Sequence, residues 1–484
     1  MKKLLTLSGT QLAQMVRTKE VSSLEIVNLH IDHIMKVNPS INAVVRDRFD
    51  AARAEAKDAD KRVGNSAPES LPPFLGVPCT IKESFMLTGM PNTSGLVARK
   101  NIIADHDATA VERLKKSGAI PLGVTNIPEL CMWMETDNRL YGRTNNPYDR
   151  GHIVGGSSGG EGAIVGSGGS PFGLGADIGG SIRLPSFFNG VFGHKATGGL
   201  VPNTGQYPIA RNKALTYLTT GPIVRRAEDL MPLLRLMAGP DNIDKGCTVM
   251  KIGALSDVML KGLTVIDVED NGKTRVSRDL KEAQRKAADF LGSRGAIVKR
   301  TRIAGFKKSF DIWASMLSES DQESFSASLG NGTAIHPLFE MIKWSMRISE
   351  HTLPSIVLAM AEQLFKYMPA RTKRLVEEGV SLRAELVKLI GQNGIMLYPS
   401  YSRPAPKHRN PLLTPFDFAY TAILNMMELP VTQVPLGLNE EGLPLGVQVA
   451  SVHGNDHVTI AVALELEKAF GGWVPPDIGL LKKS

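Results

Sequence analysis

Gly155 to Thr197 reads GGSSGGEGAIVGSGGSPFGLGADIGGSIRLPSFFNGVFGHKAT, and its order governs how the rest of the chain is read. Glycine and serine dominate, yet this is not the pattern of a flexible linker. Gly155-Gly156-Ser157-Ser158-Gly159-Gly160 comes first, an apolar run follows, and then Asp177-Ile178-Gly179-Gly180-Ser181-Ile182-Arg183. Glycines around a serine let the backbone approach a ligand closely and turn its N–H groups inward. Two such turns, separated by one short helix-like run, point to a nucleophile and a proton relay. The set lacks a base, and Pro78-Cys79-Thr80-Ile81-Lys82-Glu83-Ser84 offers a lysine at the end of an apolar strand.

Outward from that stretch, strand and helix patterns alternate. Val77–Lys82 reads as a buried strand, Ala108–Ser117 as a helix and Ile120–Thr125 as the next strand, which predicts an α/β fold. Upstream, Ser22-x-x-Glu25 is a capping box for a helix carrying Ile26, Leu29, His30 and His33 and ended by Pro39; Ile41–Val45 follows as a strand. The two histidines read as surface or packing residues. Downstream, strands are expected at Lys251–Leu255 and Ile395–Pro399, and helices over 225–237, 276–291 and 374–389. Residues 334–367 are apolar and rich in methionine, with Trp344 and Leu358 among them, and Pro354 divides them into two helices or one kinked pair.

Composition narrows the function classes. The 484 residues are 42% hydrophobic and 21% charged, values of a globular chain long enough to bury a large core. Cys79, Cys131 and Cys247 are too few and too scattered for a disulfide framework or a metal site, which fits a reducing compartment. The ten histidines form no metal motif, so no metal and no cofactor are expected. The net charge of +8 reads as a mildly basic surface. Its densest cluster, Lys299-Arg300-Thr301-Arg302, has no interleaved aromatics, so nucleic acid is not an expected partner. No apolar run reaches the roughly 18 residues of a transmembrane helix, and the apolar start at Leu4-Leu5 stops too soon for a signal peptide.

The two serine turns and the lysine resemble the amidase signature family, whose machinery is Ser-Ser-Lys. The resemblance spans nearly the whole chain, through Leu75-Gly76-Val77-Pro78, Gly123-Val124-Thr125-Asn126, Gly142-Arg143-Thr144-Asn145-Asn146-Pro147 and Gly442-Leu443-Pro444-Leu445-Gly446-Val447-Gln448. Phe187-Phe188-Asn189-Gly190-Val191-Phe192-Gly193-His194-Lys195 and Phe470-Gly471-Gly472-Trp473-Val474 are most like the fatty-acid amide hydrolases, type 2 branch. That resemblance implies one large domain over 1–484, with its core motifs at 76–200 and a central mixed twisted sheet covered by helices. It implies that Ser181 is the acylated nucleophile, Ser157 the relay and Lys82 the base. The backbone amides of Ile178, Gly179, Gly180 and Ser181 would form the oxyanion hole. Asp177 and Arg183 would scaffold it, and Ser158 would hydrogen-bond within the loop. The implied substrate is a small-molecule lipid amide, or an ester, cleaved to a fatty acid and an amine or ammonia. Peripheral membrane contact through 334–367, a homodimer, and an intracellular soluble or membrane-peripheral setting complete the expectation.

The chemistry makes one demand on Lys82. An ordinary lysine, with a pKa of about 10.4, is charged and cannot accept a proton; burial beside Val77, Ile81 and Phe85 favours the neutral amine. Run backward, the same relay protonates the leaving amine, which amide cleavage requires. An exposed Lys82, or one paired with Glu83, would have no such role. Ala176, Ala196 and Glu83 depart from common family residues, which bears on loop rigidity and substrate preference rather than on the three reactive groups. Three other readings compete. Gly156-x-Ser158-x-Gly160 fits the nucleophile elbow of an α/β-hydrolase, with His453 or His457 as base, but leaves the second serine turn unexplained. The glutaminase component of a tRNA-dependent amidotransferase fits less well, because the Phe187–Phe192 run and the methionine-rich helices suit a lipid. A catalytically silent binding protein is opposed by the complete lysine and serine set.

Overall fold

One mixed sheet of eleven strands carries the molecule, and the glycine-rich stretch supplies strands at its middle. The computed structural model describes residues 2–320, 323–365 and 369–477. Its strands are β1 (Val44–Asp47), β2 (Pro78–Lys82), β3 (Ile120–Thr125), the short pair β4 (Asp137–Asn138) and β5 (Gly142–Arg143), β6 (Phe172–Asp177), β7 (Phe192–Lys195), β8 (Thr219–Val224), β9 (Thr264–Asp267), β10 (Ile297–Arg300), β11 (Gly394–Tyr398), β12 (Val431–Leu438) and β13 (Pro444–Ala450). The large sheet runs β1-β3-β2-β6-β8-β7-β12-β13-β11-β9-β10. Pairing is parallel along β3-β2-β6 and β11-β9-β10, and antiparallel elsewhere. This is the expected α/β architecture. Because β2 and β6 are parallel neighbours, Lys82 and Asp177 end their strands on the same edge of the sheet.

Every residue of β2, β3 and β6 is buried, as strands covered on both faces require. The helix Gly159–Gly166 packs on β2, β3, β6 and β8, so Ser157 and Ser158 arrive just before its first turn. The helix Arg183–Phe188 follows β6 and places Phe187 and Phe188 in the core, the latter edge-on to Tyr401. Phe187, Phe188 and Phe192 are therefore packing residues, not part of a lipid-binding surface.

Several local expectations shift. The capping box at Ser22 forms, but its helix runs Ser23–Ile41, through Pro39, and stops at left-handed Asn42. Pro39 lacks the N–H that would close the last turn, and the helix ends two residues beyond it. Residues 251–254 form no strand, and a short 3-10 turn begins at Leu255. Pro354 does not kink a helix: it lies in the first turn of Leu353–Phe365, where the lost N–H is unpaired anyway. The break separating this helix from Pro337–Ser345 precedes it. Lys366 and Tyr367, at the end of the apolar 334–367 segment, lie outside the described residues. Among the described residues, no helix is long and apolar enough to cross a membrane.

Candidate active site

Lys82 is the last residue of β2 and only 1% exposed. Its Nζ lies 2.8 Å from Ser157 Oγ and 3.4 Å from the Ala176 carbonyl. Burial lowers its pKa; the nearby Cys131, Asp177 and Glu161 oppose that shift. An amine kept neutral turns the Ser157 contact around, with the serine hydroxyl donating to the nitrogen lone pair. Glu83 does not pair with Lys82: it begins the turn that follows β2. Its carboxylate instead accepts from Thr93 N and Oγ1 at 2.6 Å, from Ser94 N at 2.9 Å and from Tyr141 Oη at 3.2 Å.

Ser158 ties the two serine turns together. Its N–H donates to the Ser181 carbonyl at 3.1 Å, and its hydroxyl lies 3.4 Å from both N and O of Ala176. Ser158 is fully buried, whereas Ser181 is 8% exposed and bordered by partly exposed Ile178 and Gly179. Of the three serines, Ser181 is the most exposed. His453 sits at the backbone of Gly198 and His457 against Gly253. Neither meets Ser158, so an elbow mechanism has no base.

Asp177 and Arg183 set the shape of the second turn. Arg183 Nε and Nη2 grip the two Asp177 oxygens at 3.0 Å each, and both residues are fully buried. Burial alone would raise the Asp177 carboxyl; the charge and hydrogen bonds of Arg183 outweigh it and hold the group well below the usual carboxylate range. Arg183 is fixed in turn by Gln448 Oε1 and Asn425 Oδ1, both at 2.6 Å. Asp177 also accepts from Gly180 N at 2.7 Å and Ile182 N at 3.0 Å. The Gly180 amide is thus committed, which narrows the expected oxyanion set to Ile178, Gly179 and Ser181; no acceptor among the described residues takes their N–H groups. Gly180 has φ +118°, and a Cβ there would lie 2.0 Å from Thr421 Oγ1, so only glycine fits.

Sequence reading missed several residues at this site. Thr421 Oγ1 donates to the Gly179 carbonyl at 2.8 Å and Trp313 Nε1 to that of Ile178 at 2.9 Å. The rings of Trp313 and Phe418 stand over Gly179 and meet edge to face. Glu161 is buried near Lys82. Cys131, in the turn Glu129–Cys131, lies against Lys82 and 3.8 Å from Ser94 Oγ. Thr421, Trp313 and Phe418 reach the site from distant segments and carry no motif.

The Amidase family model matches residues 25–460. The chain belongs to the amidase family. The fatty-acid amide hydrolase 2 of Homo sapiens is 47% identical to it, over 98% of this chain and 91% of that one. Fatty-acid amide hydrolase 2-A of Danio rerio is 46% identical, over 99% and 91%. Among solved structures, one described as fatty acid amide hydrolase superposes with a TM-score of 0.77 at 20% identity, over 97% of this chain and 86% of that one. A bacterial aryl acylamidase of the amidase signature family gives 0.79 at 24% identity, over 99% of each. These amidase folds share the layered sheet described above.

Proposed function

We propose that the protein is a serine hydrolase of fatty-acid amides, with Ser181 as nucleophile, Ser157 as relay and Lys82 as base. The carrying observation is a lysine with almost no exposed surface whose nitrogen contacts a serine hydroxyl at 2.8 Å. An unpaired charge there would cost several kcal/mol, which favours the neutral amine. In the forward direction Lys82 takes the Ser157 proton, Ser157 takes that of Ser181, and Ser181 Oγ attacks the amide carbonyl. The oxygen of the tetrahedral adduct is met by the N–H groups of Ile178, Gly179 and Ser181. Proton return through Ser157 expels the amine, and water then releases the fatty acid by the same route. The names of the 46–47% identical relatives support the acyl class. The aromatic surface of Trp313 and Phe418 beside Gly179 supports an apolar acyl group.

Two outward-facing helices support contact with a lipid surface. On Pro337–Ser345 and the segment after it, Leu338, Phe339, Ile342, Met346 and Ile348 are exposed, with Lys343 and Arg347 beside them; Val357 is exposed on Leu353–Phe365. An apolar patch with a basic rim fits an anionic bilayer. The core test is labelling with a fluorophosphonate followed by peptide mass spectrometry. The adduct should sit on Ser181, disappear in Ser181→Ala, and be slowed by a long-chain amide more than by a short one. An adduct on Ser158 would overturn the assignment.

A further inference from the structure

The carboxyl of Glu161 is buried on the face of the sheet from which Lys82 projects. Thr80 Oγ1 donates to Glu161 Oε2 at 2.6 Å and Thr125 Oγ1 to Oε1 at 2.8 Å. Thr80 lies two residues before Lys82 in β2, so both point the same way. Thr125 is the residue directly paired with Lys82 across β2 and β3. The third neighbour is Gly173, paired with Thr80 across β2 and β6. A Cβ at Gly173 would meet Glu161 Oε2 at 1.7 Å, so glycine opens the space in which the carboxyl lies. Three adjacent strands therefore hold an acid beside a lysine, and no step of the relay uses that acid.

We propose that Glu161 is a positioning residue for the reaction described above: through its own ionisation it governs whether Lys82 keeps or releases its proton. Ionised, it stabilises the lysine ammonium; protonated, it leaves the amine free to act as base. The hydrogen bonds accommodate both states. With Glu161 ionised, both threonine hydroxyls donate to it. With Glu161 protonated, its O–H can donate to Thr125, whose own hydroxyl lies 3.5 Å from the Ile81 carbonyl as an alternative acceptor. Burial pushes Glu161 up to about 8, against the hydrogen bonds of Thr80 and Thr125 and the charge of Lys82. Its charge therefore changes around pH 8. The other groups facing Lys82 are Asp177 on β6 and Cys131 on the turn beside it. Asp177 stays ionised and is neutralised by Arg183. Cys79 on β2 lies in the field of Glu161, and burial raises its thiol out of range.

This inference rests on Lys82 being the base, and the two ideas fail differently. Labelling of Ser181 in the parent protein tests the base and nucleophile; the pH profile of that labelling, and of kcat/KM for a long-chain amide, tests Glu161. Glu161→Gln imitates the protonated acid, so the alkaline limb that ionisation of Glu161 sets at about pH 8 in the parent should move to higher pH or vanish. Thr80→Val removes a donor that stabilises the carboxylate and should move the limb the same way, while Thr80→Ser should restore the parent profile. A folded Glu161→Gln or Thr80→Val protein with an unmoved limb overturns the proposal. So does a rate that falls equally at every pH, which is what loss of a purely structural contact gives.

Discussion

With Lys82 as the proposed base, its replacement separates proton transfer from binding. Lys82→Ala should lower amide kcat by about 10²-fold or more, the usual worth of a general base and acid. Ester hydrolysis should fall less, since alkoxides leave with less help; equal losses for both would remove the acid role. Ser157→Ala should slow amide turnover more than Ser158→Ala, whose hydroxyl meets only the Ala176 backbone. Glu161 adds a stability effect of definite sign. Its folded-state pKa is raised, so between the unfolded value of about 4.3 and the folded value of about 8 the native state binds the extra proton, and stability falls as pH rises. The melting temperature of Glu161→Gln relative to the parent should therefore climb from pH 5 to pH 9; a constant difference would contradict this. The motifs that carry Lys82, Ser157 and Ser181 were legible because each is short and local, and the structure places Lys82 Nζ 2.8 Å from Ser157 Oγ. Glu161 lies in the same motif, but its meaning comes from Thr80 and Thr125, 81 and 36 residues away, and no local pattern encodes that meeting.

At the scale of elements, strands buried on both faces were read to within a residue, as at Ile120–Thr125, because an uninterrupted apolar run bounded by turn residues has few other uses. Residues 251–254 read Lys251-Ile252-Gly253-Ala254, a shorter run broken by charge and glycine, and remain irregular. Prolines misled for another reason: Pro354 sits in a first turn, where its missing N–H is unpaired anyway, and the helix carrying Pro39 ends only two residues beyond it. The attachment of the helix Leu353–Phe365 was invisible in sequence. Glu129, 2% exposed, accepts from Thr352 N and Oγ1 at 2.9 Å each and meets His351 Nδ1 at 2.7 Å. Leu130, next in the chain, packs with Leu96, Leu329 and Ala359. Burial disfavours the His351 cation, but the bond to Glu129 and its charge prevail and raise its pKa. A raised histidine stabilises the attachment below its unfolded pKa and loses that contribution as pH rises through the folded value. Amide exchange in this helix should therefore quicken on alkaline titration more than exchange in β6. His351→Gln should remove the pH dependence, and an unchanged dependence in that variant would assign it elsewhere.

For the molecule as a whole, the question is where an apolar substrate enters. Within 334–367 the exposed apolar positions differ from those the pattern singled out. Trp344 and Leu358, singled out by the pattern, are half-buried, while the outward positions are Leu338, Phe339, Ile342, Met346, Ile348 and Val357. A helix whose buried positions are Pro337 and Glu340, and whose phenylalanine is 57% exposed, is not an ordinary core helix. Glu340 is instead tied down by Lys343 at 2.7 Å and Ser349 at 2.8 Å, which turns the apolar residues outward. Helical amphipathicity was legible in sequence, but its direction was not, because apolar spacing alone does not distinguish a stripe facing the core from one facing outward. Phe339→Asp combined with Ile342→Asp should leave the fold intact, since both side chains already face solvent. It should weaken sedimentation with vesicles containing phosphatidylserine and slow turnover of vesicle-borne long-chain amides, while a water-soluble short amide is cleaved at the parent rate. Raising salt should weaken vesicle binding of the parent only in part, because the basic rim is screened and the apolar contact is not. Vesicle binding equal in parent and variant would place the contact on another surface. Loss of short-amide turnover with loss of the melting transition would show that these side chains support the fold.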